Sequence, residues 1–289
     1  MSERDLQKSD WRLIGICSAV LVLVMIGAIW RELRPTWGAA QSAVHAEVAT
    51  RLGEERTAEL TTGLQQIWIE PLQRVDRCVT CHTTIEWGEE LAEAPHPARS
   101  HPHPDLMAAH PVERFGCTLC HGGQGSATEM VAAHGRTLHW EEPLLDTALA
   151  ERYGLTRAEL MEARCAVCHV TLEPVKGMPL LNAARERLFD CVDCHELPGL
   201  PPPDDPKGPS LVRQGEKHPT DYTFPKDWSG PHTALEWHIQ HLLEPAAVTP
   251  GSAMTRFKMS RKEAAGLALI VMSWKRHGLP ADYVPRGEE

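Results

Sequence analysis

The first strong pattern along the chain is an apolar run. Leu13 to Trp30 reads LIGICSAVLVLVMIGAIW, eighteen residues without a charge. As a helix it spans nearly the hydrocarbon core of a bilayer. Trp11, Trp30 and Trp37 flank it, where an indole prefers the interface, and Arg12 and Arg31 close its ends. A cleaved leader is the competing reading. The run is longer than a usual leader's apolar region, and the small residues from Ala39 to Ala43 lie well past it. An uncleaved transmembrane helix is therefore expected, with Cys17 a small hydrophobe inside it. Arg4, Lys8 and Arg12 on one side balance Arg31 and Arg34 on the other, so charge sets no orientation.

After the run, Val44, Val48, Leu52, Leu60, Leu64 and Ile67 recur at helical spacing among charges. They predict a helix from Ala39 to Leu72, closed by Pro71. Such a stalk either lifts the rest of the chain off the membrane and meets a partner, or lies on its own domain. Near the other end, Ser260-Arg261-Lys262-Glu263 is a capping box. Ala264, Leu267, Ile270, Val271 and Trp274 then fall on one face. Lys275, Arg276 and His277 form the expected last turn before Gly278 and Pro280. Thr233-Ala234-Leu235-Glu236 opens another helix in the same way. His238 and His241 sit one turn apart on it and read as surface residues.

Composition sharpens this picture at a few points. The 289 residues carry 16 His and 9 Cys but only 3 Tyr and 4 Phe, so a large aromatic core is not what shapes the fold. With 23 Pro and 21 Gly the chain is loop-rich. A formal charge of −10 disfavours nucleic acid and favours either a basic protein partner or no electrostatic steering at all.

Eight of the cysteines form four pairs, each followed directly by histidine: Cys78-Val-Thr-Cys81-His82, Cys117-Thr-Leu-Cys120-His121, Cys165-Ala-Val-Cys168-His169 and Cys191-Val-Asp-Cys194-His195. Two thiols at this spacing reach the two vinyl groups on one porphyrin edge. The next residue, histidine, can then turn its imidazole onto the iron. Zinc sites and disulfides also use paired cysteines, but neither requires histidine after every second one. The expectation is four covalently bound haem c groups, with His82, His121, His169 and His195 as proximal ligands. Attachment of this kind takes place outside the cytoplasm, which fixes the orientation: a single-pass anchor in a bacterial cytoplasmic membrane, with the haem domain on the periplasmic side.

The stretch from about Leu180 to Pro280 resembles a class I monohaem cytochrome c. The resemblance rests on the helix Ala183 to Phe189 running into Cys191–His195, on Gly208-Pro209-Ser210-Leu211, on Pro250-Gly251-Ser252-Ala253-Met254, and on the C-terminal helix. It implies Met254 as the distal iron ligand and Pro209 as acceptor of a hydrogen bond from His195. Thr255 stands where that family often has proline. His/Met ligation raises a haem's potential.

The middle of the chain holds His96, His101, His103, His110, His134 and His139. It resembles multihaem c-type subunits found beside cytochrome b and Rieske proteins in bacterial quinol-oxidising complexes. The carriers are Ile67-Trp68-Ile69, Val75-Asp76-Arg77-Cys78, the His-Pro repeats and Phe115-Gly116-Cys117. In such proteins a second histidine usually completes each iron. His110, His134 and His139 are the favoured distal ligands, with pairing open and His96, His101 and His103 in reserve. His-Pro dipeptides are also turn formers, so solvated loop histidines are the plain alternative. His45 reads as a stalk residue.

The expected fold is mainly α and loop-rich. A tail and transmembrane helix (1–37) lead to a helical stalk (38–75), a trihaem region (76–178) and a class I cytochrome c-like domain (179–289). The expected function is an electron relay. Electrons would pass from a membrane cytochrome b or Rieske-type quinol-oxidising partner to a soluble cytochrome or other acceptor, with no catalytic residue of its own. The alternative is an enzyme with one open iron acting on nitrite or peroxide. Motif three has the least obvious sixth ligand. A third class is a structural subunit that its haems mainly fold.

Overall fold

The computed structural model describes residues 8–138, 144–169, 174–275, 280 and 283. The protein is mainly helical and begins with one long apolar helix. Helix α1 (Lys8–Glu32) covers the apolar run, and every residue from Asp10 to Arg34 is exposed. At the helical rise its 25 residues extend about 37 Å, more than the roughly 30 Å of a hydrocarbon core. It has the length and composition of a membrane span, a test that a leader sequence also passes.

Helix α2 (Thr36–Thr57) is shorter than the predicted stalk. Gly53 interrupts it with φ 86° and ψ 175°, a conformation open to glycine and strained for other residues. Beyond Thr57 the apolar periodicity is not helical. Leu60 enters a core, and Ile67 opens strand β1 (Ile67–Ile69), which pairs with β2 (Arg74–Asp76). The expected helix through Leu72 is thus replaced by a loop and a short hairpin.

The chain divides into two compact units. One comprises residues 1–67, 75–114 and 125–133. Its core joins Val44 and Val48 of α2 to Leu60, Leu91, Ala94 and Ala98, with Leu52 and Trp87 packed around them. Val44, Val48 and Leu91 are fully buried, so α2 lies on its own unit. Arg56 stacks over the Trp87 ring at 4.4 Å and pairs with Glu90. A short helix, α3 (Pro104–Ala109), follows.

The other unit comprises residues 68–74, 115–124 and 134–289. Its main helices are α4 (Arg157–Cys165), α5 (Pro179–Leu188), α6 (Ala234–Leu243) and α7 (Arg261–Ser273). Ala163 and Ala166, Leu181 and Leu188, and Leu267, Ile270 and Trp274 form one core. Leu235 and Ile239 of α6 pack on Ala264, Ala265 and Ala268 of α7 in a second. Small residues on α7 let the two helices approach closely. The Ser260–Glu263 capping box is present, as is the Thr233 cap of α6. Helix α7 ends at Ser273 with Trp274 as its cap, so Lys275 lies past it, while Arg276 and His277 lie outside the described residues.

Candidate functional site: four repeated turns

The four Cys-x-x-Cys-His segments lie in different surroundings and adopt one local conformation. In each, the histidine amide donates to the carbonyl of the first cysteine, at 3.0 Å for His82, 2.9 Å for His121, 2.8 Å for His169 and 2.9 Å for His195. The second cysteine's amide donates to the same carbonyl at 3.1, 3.3, 3.2 and 3.1 Å along the series. A single helical turn therefore carries two cysteines and a histidine on one repeated backbone arrangement. None of the nine cysteines is in a disulfide.

The first turn is fastened by its own unit. The buried Asp76 carboxylate accepts from the Cys78 amide at 3.0 Å. Thr80, between the two cysteines, donates its hydroxyl to the Gln65 carbonyl at 2.7 Å. Gln41 of α2, also buried, donates its amide to the Thr80 carbonyl at 2.8 Å. Thus α2, read in the sequence as a stalk, holds the turn that carries His82. The His82 ring lies 6.2 Å, centre to centre, from the His96 ring, with the planes 80° apart.

The second and third turns are neighbours. Arg164 of α4 donates to the Leu119 carbonyl inside the second turn at 3.1 and 3.3 Å. The Leu145 amide donates to the His121 carbonyl at 2.9 Å. Cys120 lies close enough to Cys165 and Cys168 to raise the pKa of each. Burial is the larger cause: it pushes the Cys165 thiol up to about 12, and the Cys168 and Cys191 thiols up to about 11. The buried Arg185 donates to the His169 carbonyl, tying the third turn to α5. Cys165 and Cys191 both pack against the core shared by α4, α5 and α7.

The fourth turn is held from downstream. His195 Nδ1–H donates to the Pro209 carbonyl at 2.7 Å, the bond that the class I resemblance implies. This fixes the tautomer and leaves the Nε2 lone pair for a metal. The Gly208 amide donates to the Cys194 carbonyl at 2.9 Å, so the loop closes over the turn. A Cβ on Gly208 would stand 2.2 Å from His195 Cε1, so glycine is required for the ring to lie there. Met254 is half-buried on the loop before α7, its amide bonded to Ser252 Oγ at 3.2 Å.

These features fit covalently held haem. The cradle under His195 presents one ring nitrogen and anchors the other.

The other histidines are distributed as follows. His110 caps α3, its Nδ1–H donating to the Leu106 carbonyl at 3.0 Å. His134 is half-buried and its carbonyl accepts from the Leu144 amide. His139 lies outside the described residues. His101 Nδ1 accepts from the His103 amide at 3.2 Å, and His45 lies half-buried on α2.

His238 corrects the surface reading. It is only 7% exposed, and its Nε2 lies 3.1 Å from Gln214 Nε2 and 3.2 Å from the Tyr222 hydroxyl. With both partners donating, the ring is neutral, and burial followed by His241 and Lys217 lowers its pKa to about 3. His241 stacks on Trp237 at 4.6 Å and is lowered by burial and by His195. Helical spacing alone signalled neither environment. No family model matches the chain, and no curated protein or solved structure matches it either.

Proposed function

We propose that this protein is a membrane-anchored tetrahaem c-type cytochrome that relays electrons on the periplasmic side of a bacterial cytoplasmic membrane. The observation that carries the reading is the repeated turn, in which the His amide returns to the first Cys carbonyl at 2.8–3.0 Å in all four signatures. Zinc or disulfide chemistry gives no reason for one turn, always ending in histidine, to recur four times. Bound haem supplies a one-electron iron couple whose potential follows its axial ligands.

The chain's own residues would do the rest. Cys78 and Cys81, Cys117 and Cys120, Cys165 and Cys168, and Cys191 and Cys194 fasten the groups. His82, His121, His169 and His195 ligate from one side. The Pro209 carbonyl, by accepting a hydrogen bond from His195 Nδ1–H, would raise the basicity of His195, and Met254 would supply the second ligand to the same group. His110, His134 and His139 remain the proposed candidates for second ligands in the trihaem region, with pairing open. Side-by-side placement of the second and third turns suits transfer between them. The trihaem region would take electrons from a membrane cytochrome b or Rieske-type subunit that oxidises quinol. The C-terminal domain would pass them to a soluble acceptor, and helix α1 would keep the chain at the membrane.

The test is rapid mixing of the purified full-length protein, in complex with its membrane partner, with a quinol analogue. Reduction of all four haems within turnover time, with only low-spin signals in the oxidised protein, is expected. A five-coordinate high-spin signal would make the chain an enzyme acting on a small ligand. A haem left oxidised through turnover would make that haem structural.

A further inference from the structure

We propose that His96, on the turn that follows Leu91, is the sixth ligand to the haem iron held by His82. The inference rests on the haem reading above and names the residue that completes its first site.

Two ring centres 6.2 Å apart match what one iron between two imidazoles demands. An imidazole–metal bond is about 2.0 Å, and each ring nitrogen lies about 1.1 Å from its ring centre, which together give about 6.2 Å. A direct end-on hydrogen bond between the rings would bring the centres to about 5 Å instead.

The frame around His96 is built to hold it. Ala94 and Ala98, on either side, are buried. Ala98 closes the turn by donating its amide to the Pro95 carbonyl at 2.9 Å. The fully buried Thr84, two residues after His82, donates its hydroxyl to the Ala98 carbonyl at 2.7 Å. The His101 amide donates to the Ile85 carbonyl at 2.8 Å. The segment bearing His82 and the turn bearing His96 are therefore joined by hydrogen bonds, the Thr84–Ala98 bond among them buried, and the exposed His96 ring is carried on that frame.

The 80° angle between the rings makes a further statement. Perpendicular axial imidazoles leave the two iron dπ orbitals nearly equal in energy. A ferric centre of this kind gives a strongly anisotropic low-spin resonance with one large g value, distinct from the rhombic signal of parallel rings.

The experiment uses the full-length protein purified in detergent, with peptide mass mapping to count haem at Cys78 and Cys81. The wild type should show the anisotropic signal. His96→Ala should lose that signal and gain a high-spin one while haem stays attached at Cys78 and Cys81. His96→Met, which keeps a sixth ligand, should raise the potential of one haem and leave the others unchanged. Unaltered spectra and potentials in both variants, with haem attached, would overturn the assignment. Loss of the signal in His101→Ala but not in His96→Ala would overturn it in favour of His101. Wild-type peptides lacking haem at Cys78 and Cys81 would instead defeat the cytochrome reading itself.

Discussion

At Cys78–His82 the turn is clamped from upstream: Gln41 of α2 holds the Thr80 carbonyl, and Asp76 holds the Cys78 amide. At Cys191–His195 it is clamped from downstream, by Gly208 on the Cys194 carbonyl and Pro209 on the imidazole. The five-residue backbone is the same, but the imidazoles face different partners. His195 has a carbonyl-anchored ring with Met254 on a later loop, and His82 has the His96 ring 6.2 Å away. On the haem reading, the signature would fix how a group is fastened, and the surrounding loops what its iron can do. On this account the two sites have different potentials, with the methionine site higher.

The largest expected effect comes from erasing that contrast. Met254→His should lower one haem's potential on the order of 0.2 V, a fraction of the roughly 0.8 V that axial ligation spans. The weak sulfur-to-iron band at the red end of the spectrum should vanish. Redox titration with optical monitoring reads both, and an unmoved band means that another residue ligates.

Next come the two cores. Leu91 and Leu181 are each fully buried, one in each unit. Leu91→Ala and Leu181→Ala should each destabilise the protein by about 2–5 kcal/mol in denaturant titration. If α2 and its core hold the first turn, Leu91→Ala should disturb the His82 haem spectrum and leave the methionine band intact. Leu181→Ala should do the reverse.

Gly208→Ala is subtler. The new methyl collides with the His195 ring, and overpacking of this kind costs about 1–3 kcal/mol. The His195–Pro209 bond should lengthen, shifting the potential of the methionine-ligated haem alone. An unchanged potential would show that the loop does not set the ring.

A further effect touches neither iron site and is graded with pH. His238 has its pKa lowered to about 3 in the folded protein by burial, against an ordinary value of 6.5. The unfolded chain therefore binds a proton between those limits and the folded one does not. The stabilising contribution is full above about pH 6.5 and falls as pH drops toward 3, by at most about 1.4 kcal/mol per pH unit. His238→Gln should flatten the acid limb of a stability profile. An unchanged slope would exclude the residue as its source.

The sequence made much of this visible, and its failures have identifiable causes. The apolar run, the helix starts at Thr233 and Ser260 and the apolar face of α7 are local signals, and local signals survive folding. The four signatures are local too, because one turn makes them. Helix α2 was drawn too long because Leu60, Leu64 and Ile67 keep helical spacing while Gly53 has already turned the chain. Periodicity does not reveal the burial of His238 because its partners, Gln214 and Tyr222, lie far away in sequence. The nearness of the His96 and His82 rings is likewise a contact between separate segments, joined by bonds such as Thr84–Ala98, which no periodicity encodes.

Intact-mass and peptide-mass measurement of the purified chain decides whether haem is covalently attached. The polypeptide should be heavier by four haems, each mapped to one cysteine pair through thioether bonds that survive denaturation. A colourless denatured chain at its unmodified mass would contradict the haem reading.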